Sequence, residues 1–177
     1  KSHNIQCIPH QLVEDCWFTY QVIISAKSCQ LISDQTLYYT INPESTTSKI
    51  KTQGYSMKLS ISYAEIEKTK RAYIAHLRAH SIYPCLLFDT MFMGLYHAYR
   101  ILCVDNKMEK QERKKLACSL LTRNFQLPNR IICSTSYLRF LAIYIFYSLP
   151  ITIKINLVNL AIKFKIKDIL QKWFHFN

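Results

Sequence analysis

Two adjacent carboxylates, Glu14 and Asp15, are the residues in this sequence best suited to chemistry. A carboxylate within hydrogen-bond reach of a substrate hydroxyl can take its proton as a new bond to oxygen forms, so the pair suits general-base work. Two acids opening a helix also lie at the positive end of its dipole, which favours their ionised form by about 0.3–1 kcal/mol each, so the dipeptide alone says little. His76 and His80 stand i, i+4, the spacing of two metal ligands on one helix face, but no Glu follows His76 and no third ligand is near in sequence. They read as a surface pair. The seven cysteines, Cys7, Cys16, Cys29, Cys85, Cys103, Cys118 and Cys133, contain no CxxC or Cys/His spacing. They read as reduced thiols serving as small hydrophobes, not as a zinc cluster or disulfide framework.

The elements that would position the acid pair follow from pattern. Residues 1–13 form an extended lead-in ending near Pro9, and a helix is expected from Glu14 to about Lys27, with Trp17, Tyr20, Ile23, Ile24 and Lys27 near one face. Gln30 to Ile41 reads as two short strands around Ser33–Gln35, its second half rich in aromatic and β-branched residues. Asn42–Ser48 reads as a polar loop in which Pro43 excludes regular ladder pairing. Residues 55–80, 86–104 and 105–123 are expected to be helical, the last highly charged, before a break at Phe125-Gln-Leu-Pro128. The apolar run Phe140–Ile153, 14 residues containing Pro150, is short of the ~20 residues a membrane-crossing helix needs. After it, Lys154, Lys163, Lys165, Lys167 and Lys172 interleave with aliphatic and aromatic residues, as in a helix lying on an anionic membrane face. Ile151–Leu157 alternates like a strand.

Composition narrows the classes. With 177 residues, half of them hydrophobic, the chain can bury a real core. Its two glycines, Gly54 and Gly94, cannot write GxGxxG or GxxxxGK[ST], which excludes a glycine-rich phosphate cradle. So few glycines also argue against an all-β domain and its many tight turns. The net charge of +12 points to an anionic partner or surface. The first ten residues lack the apolar segment of a signal peptide, and a chain opening on Lys1 instead of Met is expected to be a piece of a longer protein.

The order of features carries more than any one of them. An extended lead-in is followed by Glu14-Asp15-x-x-Phe18, a helix ending in Ser25-Ala26-Lys27, a strand, then Tyr38-Tyr39 and Asn42-Pro43-Glu44-Ser45-Thr46. This resembles the second half of the catalytic domain in bacterial family-2 glycosyltransferases of the GT-A type, whose ED-x-x-F motif precedes a YYYR-x-N-P-x-S stretch. Residues 10–47 are the specific part of the match; the charged helical region and basic apolar tail agree in character.

The resemblance implies an α/β fold: a partial GT-A sheet in residues 1–50, a helical region in 51–136, and a basic apolar tail in 137–177. It implies transfer of a sugar from a nucleotide diphosphate to an acceptor hydroxyl with inversion, in cell-surface polysaccharide synthesis at the inner face of the plasma membrane. Asp15 would be the base and Glu14 its support, with Asn42 and Ser45 in a loop facing donor phosphates or acceptor. The donor would be a nucleotide sugar and the acceptor a glycan or lipid-linked glycan. In the family a divalent metal, Mg or Mn, held by an Asp-x-Asp motif neutralises the leaving diphosphate. The five aspartates here make no such motif, so the metal ligands and the nucleotide-binding half would lie outside this chain, which would be inactive alone. Val13 precedes the acid pair where a polar residue is usual, and Thr40 replaces the arginine of the tyrosine-rich stretch.

Two other classes fit the charge. A basic nucleic-acid-binding protein would use the same lysines and aromatics, but no RNP, zinc or helix-turn-helix signature is present and the basic residues are scattered, so no nucleic-acid partner is expected. A non-catalytic membrane-surface remnant of a split gene is the other.

Overall fold

The computed structural model describes residues 5–7, 13–28, 30, 56–103, 108–125 and 137–164. Their regular structure is helical: α1 (Glu14–Ser25), α2 (Met57–Ile74) with a following 3-10 turn (Ala75–Leu77), α3 (Tyr83–Cys103), α4 (Lys110–Leu121), α5 (Tyr137–Ser148) and α6 (Ile151–Lys163). No strand occurs among the described residues, which corrects the expected α/β class to a helical one. The stretch 31–41, where strands were expected, lies outside the described residues. Ile151–Leu157 is helix, not strand.

Local sequence explains most helix limits. Ser56 caps α2, its hydroxyl accepting the Leu59 N–H at 3.2 Å. Pro84 sits in the first turn of α3, where its missing N–H is no loss. Pro150 divides one apolar run into two helices by serving as the N-cap of α6. The α4 helix stops at Leu121, with Thr122 extended, ahead of Phe125.

The centre of the fold is α3, which packs against α2, α4, α5 and α6, while α1 attaches through α2. Leu87, Met91, Ala98 and Ile101 on α3 are fully excluded from solvent, and Gly94 fills the one vacant step of that i, i+4, i+7, i+11, i+14 seam. Ile66 and Ile74 from α2, Ala117 and Leu121 from α4, and Phe140 and Tyr147 from α5 close over it. Each fully buried aliphatic side chain contributes about 1.5–3 kcal/mol relative to exposure. Among the described residues no helix is long and apolar enough to cross a membrane.

Candidate functional site

Glu14 and Asp15 occupy the first turn of α1, and both are exposed. Asp15 Oδ1 accepts the Cys16 N–H at 2.9 Å, a donor it shares with the Val13 carbonyl at 3.1 Å, which holds the carboxylate at the helix start. Burial, then the neighbouring Asp15 charge, pushes the Cys16 thiol up, so it is not an activated thiolate at neutral pH.

The opposite face of α1 holds the pair in place. Trp17, Tyr20 and Gln21 are buried at i, i+3, i+4, with the Trp17 indole edge-on to Tyr73 at 5.2 Å between centroids. Gln21 Nε2 donates to the Gln6 carbonyl at 2.7 Å and ties the lead-in beside the helix. The buried face is rotated from the one expected, because Gln21 finds a backbone partner while Ile23 remains 59% exposed.

Behind α1 lies a polar cluster that the linear sequence did not announce. Lys70 Nζ is 2.9 Å from Glu67 Oε1 and 5.1 Å from the Tyr20 ring centre, all three residues being buried. Burial pushes the Glu67 carboxyl up, with Lys70 opposing, and burial likewise raises Asp89 and Tyr20. His97 stacks on Tyr63 at 3.9 Å, and burial followed by the Lys70 and Arg100 charges pushes its pKa down to about 3.

A second buried polar group lies at the C-terminal end of α4. Arg71 Nη2 donates to the Leu120 carbonyl at 2.7 Å, the Thr90 carbonyl at 3.3 Å and Tyr147 Oη at 3.2 Å, while Nη1 reaches the Thr122 carbonyl and Asn124 Oδ1, each at 3.4 Å. Lys154 Nζ donates to the Leu121 carbonyl at 2.7 Å and the Tyr147 carbonyl at 3.1 Å. The two cations meet the negative end of the α4 dipole and satisfy its last carbonyls. Lys154 therefore is not a headgroup lysine as its place in the basic tail suggested: it is 3% exposed. Its pKa is lowered by burial and by Arg123 and Arg71.

A surface cleft separates α4 from α6. One portion, about 220 Å³, is lined by Lys110, Arg113, Lys114, Asn156 and Asn159 among others, and an adjoining portion of about 180 Å³ shares Lys114, Ile155 and Asn156 with it. Sequence reading placed the interfacial lysines after residue 153 and saw α4 only as a charged helix.

Asn42 and Ser45 lie outside the described residues. His76 and His80 are exposed, and His76 lies edge-on to Tyr73 at 5.3 Å. Among the described residues no group of three His, Cys, Asp or Glu side chains could hold a metal ion. Compared with family models, with curated proteins and with solved structures, the chain matches none.

Proposed function

We propose that this chain carries the catalytic carboxylate of an inverting, nucleotide-sugar-dependent glycosyltransferase that works peripherally at the cytoplasmic face of a membrane on a cell-surface glycan. The observation that carries the reading is the placement of the acid pair: Glu14 and Asp15 are exposed on a helix whose other face is anchored by Trp17, Tyr20 and Gln21. A base for an acceptor hydroxyl must be open to substrate and held against motion, since small errors of position are costly in rate. The ED-x-x-F and Tyr-Tyr-x-x-Asn-Pro-x-Ser order of the sequence supplies the reaction class.

In this reading Asp15 takes the acceptor proton and Glu14 orients the acceptor. Among the described residues no group of three His, Cys, Asp or Glu side chains could hold a divalent metal, and burial raises the carboxyls of Glu67 and Asp89, which disfavours the charged form a metal would need.

The test is nucleotide diphosphate release by the full-length enzyme in the presence of acceptor. Asp15→Asn should lower turnover by at least about a hundredfold, with an unchanged melting temperature, while Glu14→Gln should retain a larger share. Near-normal turnover in Asp15→Asn would remove Asp15 from the role of base.

A further inference from the structure

We propose that the α4–α6 cleft binds the phosphates of anionic phospholipid headgroups while α6 lays its exposed apolar stripe on the bilayer surface. This deepens the peripheral-membrane part of the reading above and is independent of its transferase chemistry.

Three cations share one wall of the cleft. Lys110, Arg113 and Lys114 stand at i, i+3 and i+4 in the first half of α4, so like charges meet on one helix face near the positive end of the helix dipole. For the exposed Lys110 and Lys114 both arrangements are unfavourable in the helix alone and favourable once an anion sits between them. Of the nearby acids among the described residues, Glu112 falls on the far side of α4 at about 100° per residue, and Glu109 flanks the cleft at the N-cap. The facing wall offers Asn156 and Asn159 from α6, whose amides can donate to a phosphate oxygen without adding charge. At about 220 Å³ the space is below the range of sites that engulf a drug-sized ligand and suits a single anionic group.

The neighbouring face of α6 supplies the second observation. Ile153, Leu157, Leu160 and Phe164 follow one another at i, i+4, i+7 and i+11, and they are 43%, 42%, 49% and 65% exposed. This stripe runs beside the polar one that holds Asn156 and Asn159, so one helix presents an apolar face to lipid tails and, next to it, a cation-lined slot at headgroup depth. The net charge of +12 gives the surface as a whole the matching sign. Because the cations sit on α4 and the apolar side chains on α6, the fold assembles a membrane-facing surface from two helices, neither of which spans.

Flotation of the full chain with vesicles of phosphatidylcholine, alone or with phosphatidylglycerol, tests this. Binding is expected only with the anionic lipid, and it should weaken about thirtyfold in Lys110→Gln/Lys114→Gln. Asn156→Asp/Asn159→Asp, which leaves the α4 cations intact, should lose binding comparably, and Leu157→Ser/Leu160→Ser should lose it even at low salt. Circular dichroism confirms that each variant is folded. Equal binding to neutral vesicles, or wild-type binding by both cleft variants, overturns the proposal. So does saturable binding of inorganic phosphate or of mixed-sequence RNA by a chain that does not float. Turnover of the full-length enzyme carrying the same substitutions, on a soluble acceptor, separates the two readings: loss of flotation in the cleft variants with retained turnover supports this site, and Asp15→Asn leaves flotation unchanged.

Discussion

Gly94 lies directly beneath the guanidinium of Arg71: a side-chain carbon at position 94 would overlap Nη2 and stand 2.7 Å from Tyr147 Oη and 3.3 Å from the Leu120 carbonyl oxygen. The glycine is therefore the space in which three elements bring their polar groups together. Mid-helix glycine costs about 1 kcal/mol relative to alanine, so at an open site Gly94→Ala would stabilise α3. Here the guanidinium is pinned by Thr90, Leu120 and Tyr147 and cannot swing aside without breaking those bonds. Gly94→Ala should instead destabilise, by about 1–3 kcal/mol of overpacking less the propensity gain. Urea unfolding monitored by circular dichroism measures it, and an increase in stability would show that Arg71 is free to move.

Arg71 is expected to be the most sensitive polar residue of the interior. Arg71→Met takes the guanidinium donor from the Thr122 carbonyl and the Tyr147 hydroxyl, leaves the Leu120 carbonyl with the Tyr147 hydroxyl at 3.2 Å, and should cost about 3–5 kcal/mol. Arg71→Lys should recover less than half of that, since one ammonium cannot span the acceptors that the planar fork reaches on both sides. Tyr147→Phe removes the hydroxyl that also donates to the Met91 carbonyl at 2.9 Å. It should cost about 1–2 kcal/mol, and the double variant should show clear coupling with Arg71.

The distribution of these groups along the chain explains what the sequence could and could not reveal. The stretch 55–80, without glycine or proline, marked α2, the apolar run 86–104 marked α3, the charged run 105–123 marked α4, and the acid pair marked the start of α1. Such signals are local. Arg71 meets Leu120 and Tyr147 across 49 and 76 residues, and no periodicity within a helix records that pairing. Lys154 misled for the same reason: a lysine between isoleucines counts as polar in any alternation, and here its head is buried against carbonyls at the end of another helix. The strand reading of Ile151–Leu157 rested on that false polar step. Ile23 was assigned to the buried face by its hydropathy, but Gln21, bonded to Gln6, took the position. The acid pair was legible in place and exposure, whereas the cleft between α4 and α6 required two helices that only tertiary structure sets side by side.

Asp89 is half-buried, and burial holds its carboxyl above the usual range of 3.8 with only Lys70 opposing. A folded-state pKa above the unfolded one means that the contribution is fully present below pH 3.8 and is lost as pH rises through the folded value. Asp89→Asn mimics the protonated form. The variant should be more stable than the parent at pH 7 and equal to it at the acid end of the range. Equilibrium denaturation at the two pH values checks this, and a less stable variant at pH 7 would assign Asp89 a net favourable pairing with Lys70.

His97 gives the opposite pH dependence. Its imidazole is 2% exposed and stacked on Tyr63, and burial, then Lys70 and Arg100, lower its pKa from 6.5 to about 3. The unfolded chain therefore binds a proton between these limits that the folded chain refuses. Stability from this residue is complete above pH 6.5 and is lost as pH falls toward about 3, by at most about 1.4 kcal/mol per pH unit. The raised carboxyls Glu67 and Asp89 act in the opposite sense over the lower part of this range. The comparison that isolates His97 is with His97→Gln, which keeps a planar polar side chain but does not titrate. Between pH 7 and pH 5 the stability advantage of the parent over this variant should shrink, while at and above pH 7 it should be constant. A parallel pair of stability curves across that interval would mean that His97 takes up its proton in the folded state, which requires α2 and α3 to part far enough to hydrate the ring.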